Sequence, residues 1–265
     1  MAGRRSVFAA ELAWPDYHDA VSGGATPILI PIGSTEQHGY HMPLNVDVLL
    51  PTEFARRTAA AIGGLVAPPF LYGYKSHQKS GGGNHLPGTT SLDGATLVAA
   101  LKNVLCELAR HGARKFALIN GHYENSWFVI EGIDLALREL RWDGVRDAKV
   151  VLLSYWDFVT PDTIERLYPN GFPGWAVEHG GILETSLMLA LHPDLVDLER
   201  ALDHPPASFP PYEVYPVKPE WTPPSGTLSS PKEASKAKGE ILLEVCTTGI
   251  IDALRAEFRV SLSKS

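Results

Sequence analysis

Four short apolar runs punctuate the chain: TPILIPIG (26–33), GLVAPP (64–69), RKFALIN (114–120) and AKVVLLSYW (148–156). Their apolar positions are consecutive rather than alternating, the pattern of strands covered on both faces and not of a sheet with one wet side. Among them, apolar residues recur at helical spacing over about 50–62, 92–111, 126–141, 182–191 and 231–258. Pro51 suits the first turn of its helix, and His111-Gly112 suits the end of the next. Strand and helix alternation over most of the length predicts an α/β fold, a three-layer αβα sandwich with a mostly parallel central sheet. No internal repeat or clean boundary divides the chain, so residues 1–265 are read as a single domain.

Two stretches break the rhythm. YGYKSHQKSGGGNHLPGTT (72–90) is long, polar and rich in glycine, which in a compact domain favours a functional loop over a spacer. The second, residues 203–231, is too rich in proline for regular structure, yet it carries Phe209, Tyr212, Tyr215 and Trp221. Linkers that stay disordered are poor in aromatics, so this one is expected to be ordered and packed on its own domain or on a neighbouring subunit.

Composition narrows the partners. With 45% hydrophobic residues and a formal net charge of -7, the chain has the make-up of a globular protein with a substantial core. Acidic and basic residues are interspersed, leaving no basic stripe for nucleic acid and no polybasic segment for a membrane surface. A small-molecule substrate is the expectation. Cys106 and Cys246 stand far apart in helix-like stretches, which disfavours a disulfide framework or a cysteine zinc knot and points to a reducing, cytoplasmic setting. Arg4 and Arg5 precede a short apolar patch, but Glu11 and Asp16 interrupt it before it reaches the length of a secretion signal.

The polar residues just past the first and third strands carry the chemistry. Glu36 and His38 are two apart after TPILIPIG, and Asp47 follows shortly before a helix; His122 and Glu124 repeat the pairing in reverse after KFALI. In extended backbone, residues two apart point to the same side. In open α/β sheets, ligands collect outside the carboxyl ends of strands. Taken one at a time, a His or Glu after a strand is ordinarily a cap or a solvated loop residue, as His41 and His85 are read here. Two pairs at two strand ends are more than that. Glutamate, aspartate and histidine without thiolate suit zinc or manganese, and five donors exceed what one catalytic zinc needs. An aspartate bridging two ions roughly 3.5–4 Å apart would use them all.

GWAVEHGGILETS (174–186) adds Glu178 and His179 ahead of a helix that carries Glu184 on its first turn. These residues either complement a helix start or form a proton-transferring histidine with a carboxylate neighbour. Trp156 and Trp175 lie at the same end of the sheet; each fits a core, and together they fit a wall that covers a flat ring.

The segments GSTEQHG, NVDVLLP, YGYKSHQKSGGGNHLPGTTSLDGATL, INGHYENS, SYWDF and EHGGILETSLMLALHPDLVDL together resemble the creatininase family over nearly the whole chain. The resemblance implies metal-dependent, reversible hydrolysis of the cyclic amide of creatinine to creatine; a family relative acting on another cyclic amide or formamide is the alternative. It implies two divalent ions, with Glu36, Asp47 and His122 holding zinc or manganese, and with His38, the bridging Asp47 and Glu124 holding zinc. Glu184 is implied either as an alternative ligand or as a residue behind the ligands. Creatinine is expected near Ser80 and Tyr123, covered by Trp156 and Trp175, with Glu124, Glu178 and His179 at the reacting end. The family also implies a homohexamer, a trimer of dimers. One departure from the pattern is Ala176, after Trp175, where an aspartate is expected.

Overall fold

Pro27–Ile32 forms strand β1, whose six residues are all buried because both of its faces are covered. The computed structural model describes residues 6–260, so Arg4 and Arg5 lie outside the described residues. Leu65–Val66 is β2, Lys115–Asn120 is β3 and Lys149–Ser154 is β4. All pairings are parallel, in the order β2-β1-β3-β4. The register aligns Ile32 with Asn120 and Asn120 with Ser154, so three strands end level with one another at one edge of the sheet.

The helices are α1 (Trp14–Val21), α2 (Val46–Ile62), α3 (Gln78–Gly81), α4 (Gly94–Arg110), α5 (Ser126–Trp142), α6 (Pro161–Leu167), α7 (Ile182–Leu191) and α8 (Lys236–Phe258). Successive strand residues face opposite ways. Ile28, Ile30, Ile32, Phe116 and Leu118 therefore pack with Leu101 and Leu105 of α4 and with Val129 and Ala136 of α5. Leu29, Ala117, Ile119 and Leu153 pack on the other face with Phe54 of α2, Leu187 of α7 and Leu242 and Ile250 of α8. These two cores make the expected αβα sandwich. Both cysteines are buried in helices, as expected: Cys106 in α4 and Cys246 in α8.

Two expectations need correction, and two helices were not foreseen. The run 64–69 yields only a two-residue strand, because Pro31 offers β2 no N–H and Pro68 and Pro69 have none to give. Pro51 is not in a first turn: α2 begins at Val46, and the proline sits inside it. A proline there leaves the carbonyl four residues earlier, that of Asp47, without its helical hydrogen bond. Gly33 and Gly121 approach that carbonyl so closely that a Cβ at Gly33 would stand 2.6 Å from its oxygen, which seats the first turn of α2 directly on the ends of β1 and β3. Finally, α1 and α6 carried too short a pattern to be seen in the sequence. Among the described residues, no helix is long and apolar enough to cross a membrane.

Candidate metal centre and cavity

The level ends of β1 and β3 deliver Glu36, His38, His122 and Glu124 to one place. The first turn of α2 supplies Asp47 and the first turn of α7 supplies Glu184. All six are buried. Glu36 Oε2 lies 2.9 Å and Asp47 Oδ2 3.1 Å from His122 Nδ1. On the other side of Asp47, Oδ1 lies 3.0 Å from His38 Nε2, and Glu184 Oε2 lies 3.6 Å from the same nitrogen. Two triads, Glu36/Asp47/His122 and His38/Asp47/Glu184, therefore share Asp47 and each could hold a cation. Donor atoms of Glu36, His38 and His179 form a third close group.

Glu124 is not brought to His38. Its Oε1 accepts from Ser80 Oγ at 2.6 Å and from the His77 backbone N–H at 2.9 Å, while Oε2 lies 3.4 Å from His122 Nε2. Glu184 stands beside His38 and Asp47, at the place that the family resemblance implied for Glu124. The signal for this lay in the family alternative for Glu184, since nothing local to ILETS distinguishes a ligand from a helix-start carboxylate.

The donor set fits divalent cations. Histidines that bind metal ordinarily tie their second ring nitrogen to a carbonyl or carboxylate. His38 Nδ1 is 3.1 Å from Glu36 O, and His122 Nε2 is 3.1 Å from Tyr74 O. Each ring thus donates to a backbone carbonyl and turns its other nitrogen toward the carboxylates. Glu36 Oε1, His38 Nε2 and Asp47 Oδ2 are buried without a hydrogen-bond partner, although His38 Nε2 stands 3.0 Å from Asp47 Oδ1 and Asp47 Oδ2 3.1 Å from His122 Nδ1. Among the described residues, no lysine or arginine pairs with Glu36, Asp47, Glu124, Glu178 or Glu184. Buried carboxylates without positive charge are costly. Burial accordingly pushes the Glu36 carboxyl up to about 8 against the pull of His122. Burial opposes ionisation of Asp47 as well, but His38 and His122 outweigh it and hold its carboxyl below the ordinary range. For both imidazoles burial is the largest influence and pushes down; Asp47 and Glu184 outweigh it at His38, Glu124 and Glu36 at His122, and both end well above the usual value. A chain that must protonate two imidazoles to neutralise this cluster is equally suited to neutralise it with two cations.

A cavity of about 480 Å³ opens onto both triads. Its wall brings together Glu124, Trp156, Trp175, Glu178 and His179, singled out in the sequence, and Ser80 and Tyr123, implied by the family resemblance, with Ala176 beside them. Trp175 and Tyr123 remain substantially exposed at its rim. The sequence reading missed several contributors. Lys79 and His77 line the cavity and pair with Glu213 at 2.8 and 3.0 Å, so the proline-rich segment reaches the rim. The same segment accepts from Gln37 at Gly226 O, donates from Leu228 N to His179 O and places Ser229 Oγ 3.3 Å from Glu178. His41, read as a loop residue, is buried and lies 2.9 Å from Thr185 Oγ1.

Glu178 is buried and accepts a 2.6 Å hydrogen bond from Leu183 N–H, yet desolvation lifts its carboxyl to about 7. A carboxyl raised on folding stabilises the fold fully below its unfolded value and loses that contribution as pH rises through the folded one. In the cation-free protein, wild type should therefore lose thermal stability relative to Glu178→Gln as pH rises from about 4.5 to about 7. A difference in Tm that is flat over that range would contradict the assignment. His179 goes the other way: burial, and then His38, whose ring centroid is 4.5 Å away, hold it well below the ordinary histidine range and so neutral at neutral pH.

The creatininase family model, described as creatinine amidohydrolase, matches residues 10–254. The creatinine amidohydrolase of Pseudomonas putida is 63% identical over 255 residues, spanning 96% of this chain and 98% of that protein. Solved structures are similarly alike. A creatininase of Zn–Zn type superposes with a TM-score of 0.95 at 62% identity, covering 96% of this chain and 99% of the other. A manganese creatininase (63% identity, TM-score 0.94) and a variant creatininase complexed with creatine (63%, 0.94) have the same coverage.

Proposed function

The chain belongs to the creatininase family, and from that premise we propose that it is a metal-dependent hydrolase that opens the cyclic amide of creatinine to creatine, reversibly. The observation that carries the reading is the pair of buried triads sharing Asp47, at the floor of a cavity walled by two tryptophans and by His179. In this reading Glu36, Asp47 and His122 hold one ion. His38, Asp47 and Glu184 hold the other, and Glu124, fixed by Ser80 and the His77 N–H, stands beside His122 facing the cavity.

A pair of zinc or manganese ions held by these residues would supply Lewis acidity to polarise the ring carbonyl and to activate water at neutral pH. The remaining work falls to the chain. Hydrolysis adds the OH of water to the carbonyl carbon, breaks the ring C–N bond and delivers the other proton to the departing nitrogen. His179, held neutral and facing the cavity, accepts a proton from the attacking side and returns one to that nitrogen. Glu178, with its carboxyl near neutrality, and Glu124, oriented by two donors, are placed to assist the transfer. Trp156 and Trp175 offer flat faces for the planar ring and exclude water from it, while Ser80 and Tyr123 border the same space.

Assembly belongs to the same proposal. Trp14, Trp127 and Trp142 are each more than three-quarters exposed, apolar surface of the kind subunit interfaces cover, which supports the homohexamer that the family resemblance implies. A cytoplasmic setting is proposed with it, supported by two buried cysteines that remain unpaired.

Chelation followed by dialysis should abolish creatinine hydrolysis, and added zinc or manganese should restore it. Turnover that survives complete removal of cations, or restoration that acts on other cyclic amides and spares creatinine, would overturn the assignment.

A further inference from the structure

The assignment of protons around His179 follows from counting hydrogens. His179 Nε2 lies 2.9 Å from the backbone carbonyl oxygen of Gln37 and 2.9 Å from the side-chain nitrogen of the same residue. Two neighbours fix which end of that amide is which. Oε1 accepts from Gly39 N–H at 3.0 Å, and Nε2 lies 3.1 Å from Gly81 O and 2.9 Å from Gly226 O. Carbonyl oxygens only accept, and an amide nitrogen has two hydrogens, so both are committed. None is left for His179.

The imidazole therefore cannot present a lone pair at Nε2. Such a lone pair would face the lone pairs of Gln37 O at 2.9 Å, with no hydrogen between them. A hydrogen on Nε2 instead donates to that carbonyl. A neutral imidazole has one N–H, so the lone pair is on Nδ1. Nδ1 has no hydrogen-bond partner among the described residues, and the ring is part of the cavity wall.

We propose that Gln37 is a positioning residue for the hydrolysis: its backbone carbonyl holds the Nε2 proton of His179, its fully committed amide denies that nitrogen any other partner, and Nδ1 is thereby the atom that takes and returns the proton. The proposal rests on the creatininase reading of the site. It also explains why one buried amide touches three separate parts of the chain. Gly81 ends α3, Gly226 lies in the proline-rich segment, and His179 precedes α7, so Gln37 holds the ring's surroundings in register. There is no room to vary the two carbonyl partners: a Cβ at Gly226 would run into the Gln37 side chain, and one at Gly81 into Glu36.

The test is the ¹⁵N spectrum of histidine-labelled, zinc-loaded protein at neutral pH without substrate, so its outcome is separate from whether creatinine is turned over. The His179 signals are identified by their loss in His179→Gln. A bare, pyridine-type Nδ1 and a protonated, pyrrole-type Nε2 are expected; the reverse pattern overturns the proposal. In Gln37→Leu, which keeps the backbone carbonyl but removes the amide from Gly226 O and leaves Gly81 O to Ser76 Oγ, the His179 signals should keep that pattern but shift or broaden as the ring's seat loosens. With zinc content unchanged and KM within about a factor of two, kcat should fall about ten- to a hundredfold, less than the roughly hundred- to ten-thousandfold that loss of the general acid–base group itself would cost. Wild-type kcat with an unaltered His179 spectrum, or a raised KM with kcat intact, would remove Gln37 from the proton path. If Gln37→Leu fails to fold, the wild-type spectrum alone still decides the tautomer.

Discussion

Asp47→Asn is expected to abolish creatinine hydrolysis by at least about a thousandfold and to strip the protein of both cations, because several kcal/mol of Lewis-acid stabilisation depend on them and each 1.36 kcal/mol is a factor of ten. No other side chain is shared by both triads: Oδ1 faces His38 at 3.0 Å and Oδ2 faces His122 at 3.1 Å. Glu36→Gln or Glu184→Gln should each cost mainly one cation. Elemental analysis of the purified proteins separates the cases, with close to no metal in the Asp47 variant and about half the wild-type content in the other two. An Asp47→Asn protein that keeps a full complement would show that the triads are not the binding sites. Circular dichroism would distinguish loss of fold from loss of metal, and some destabilisation of the cation-free variant is itself expected. Removing one partner of a buried charge pair costs about 3 kcal/mol or more, since His38 and His122 lose their common counter-charge.

Much of this site could be read from the sequence because its ligands sit where regular structure ends. Glu36, His38, His122 and Glu124 follow apolar runs whose continuity marks buried strands, and parallel strands in one sheet end at one edge. Asp47 was legible as a carboxylate ahead of a helix, though its exact seat depended on Pro51 lying inside α2 rather than in its first turn. What could not be read were contacts made across long sequence separations. Gln37 meets Gly226 and His179 through loops whose paths no periodicity specifies, and Glu213 reaches His77 and Lys79 from a segment with no regular structure. The choice between Glu124 and Glu184 beside His38 is of the same kind: both are glutamates near element ends, and only the packing of α7 against α8 and α2 brings one of them to 3.6 Å. The proline-rich segment was expected to be ordered because of its aromatics. Phe209 and Trp221 are half-buried, Leu228 is fully buried and Glu213, Thr222, Gly226 and Ser229 add polar anchors, while Tyr212 and Tyr215 stay exposed.

His179→Ala is expected to separate chemistry from metal binding. The ring contributes no hydrogen bond or ion pair to Glu36, Asp47, His122 or Glu184, and meets His38 only by ring contact. Both triads should therefore load as in wild type. With the polarising cations in place but no group to carry the proton to the leaving nitrogen, kcat should fall about a hundred- to ten-thousandfold while KM changes little. His179→Gln sharpens the reading, since its amide can still donate toward Gln37 O and fill the space beside His38 but has no basic lone pair to protonate near neutrality. If truncation merely loosened the wall, the glutamine variant would recover most of the activity. If proton transfer is the ring's task, it stays as slow as alanine. Lost metal in either variant would instead make His179 a ligand, as its proximity to Glu36 and His38 allows, and the elemental analysis that serves for Asp47 reads that outcome directly.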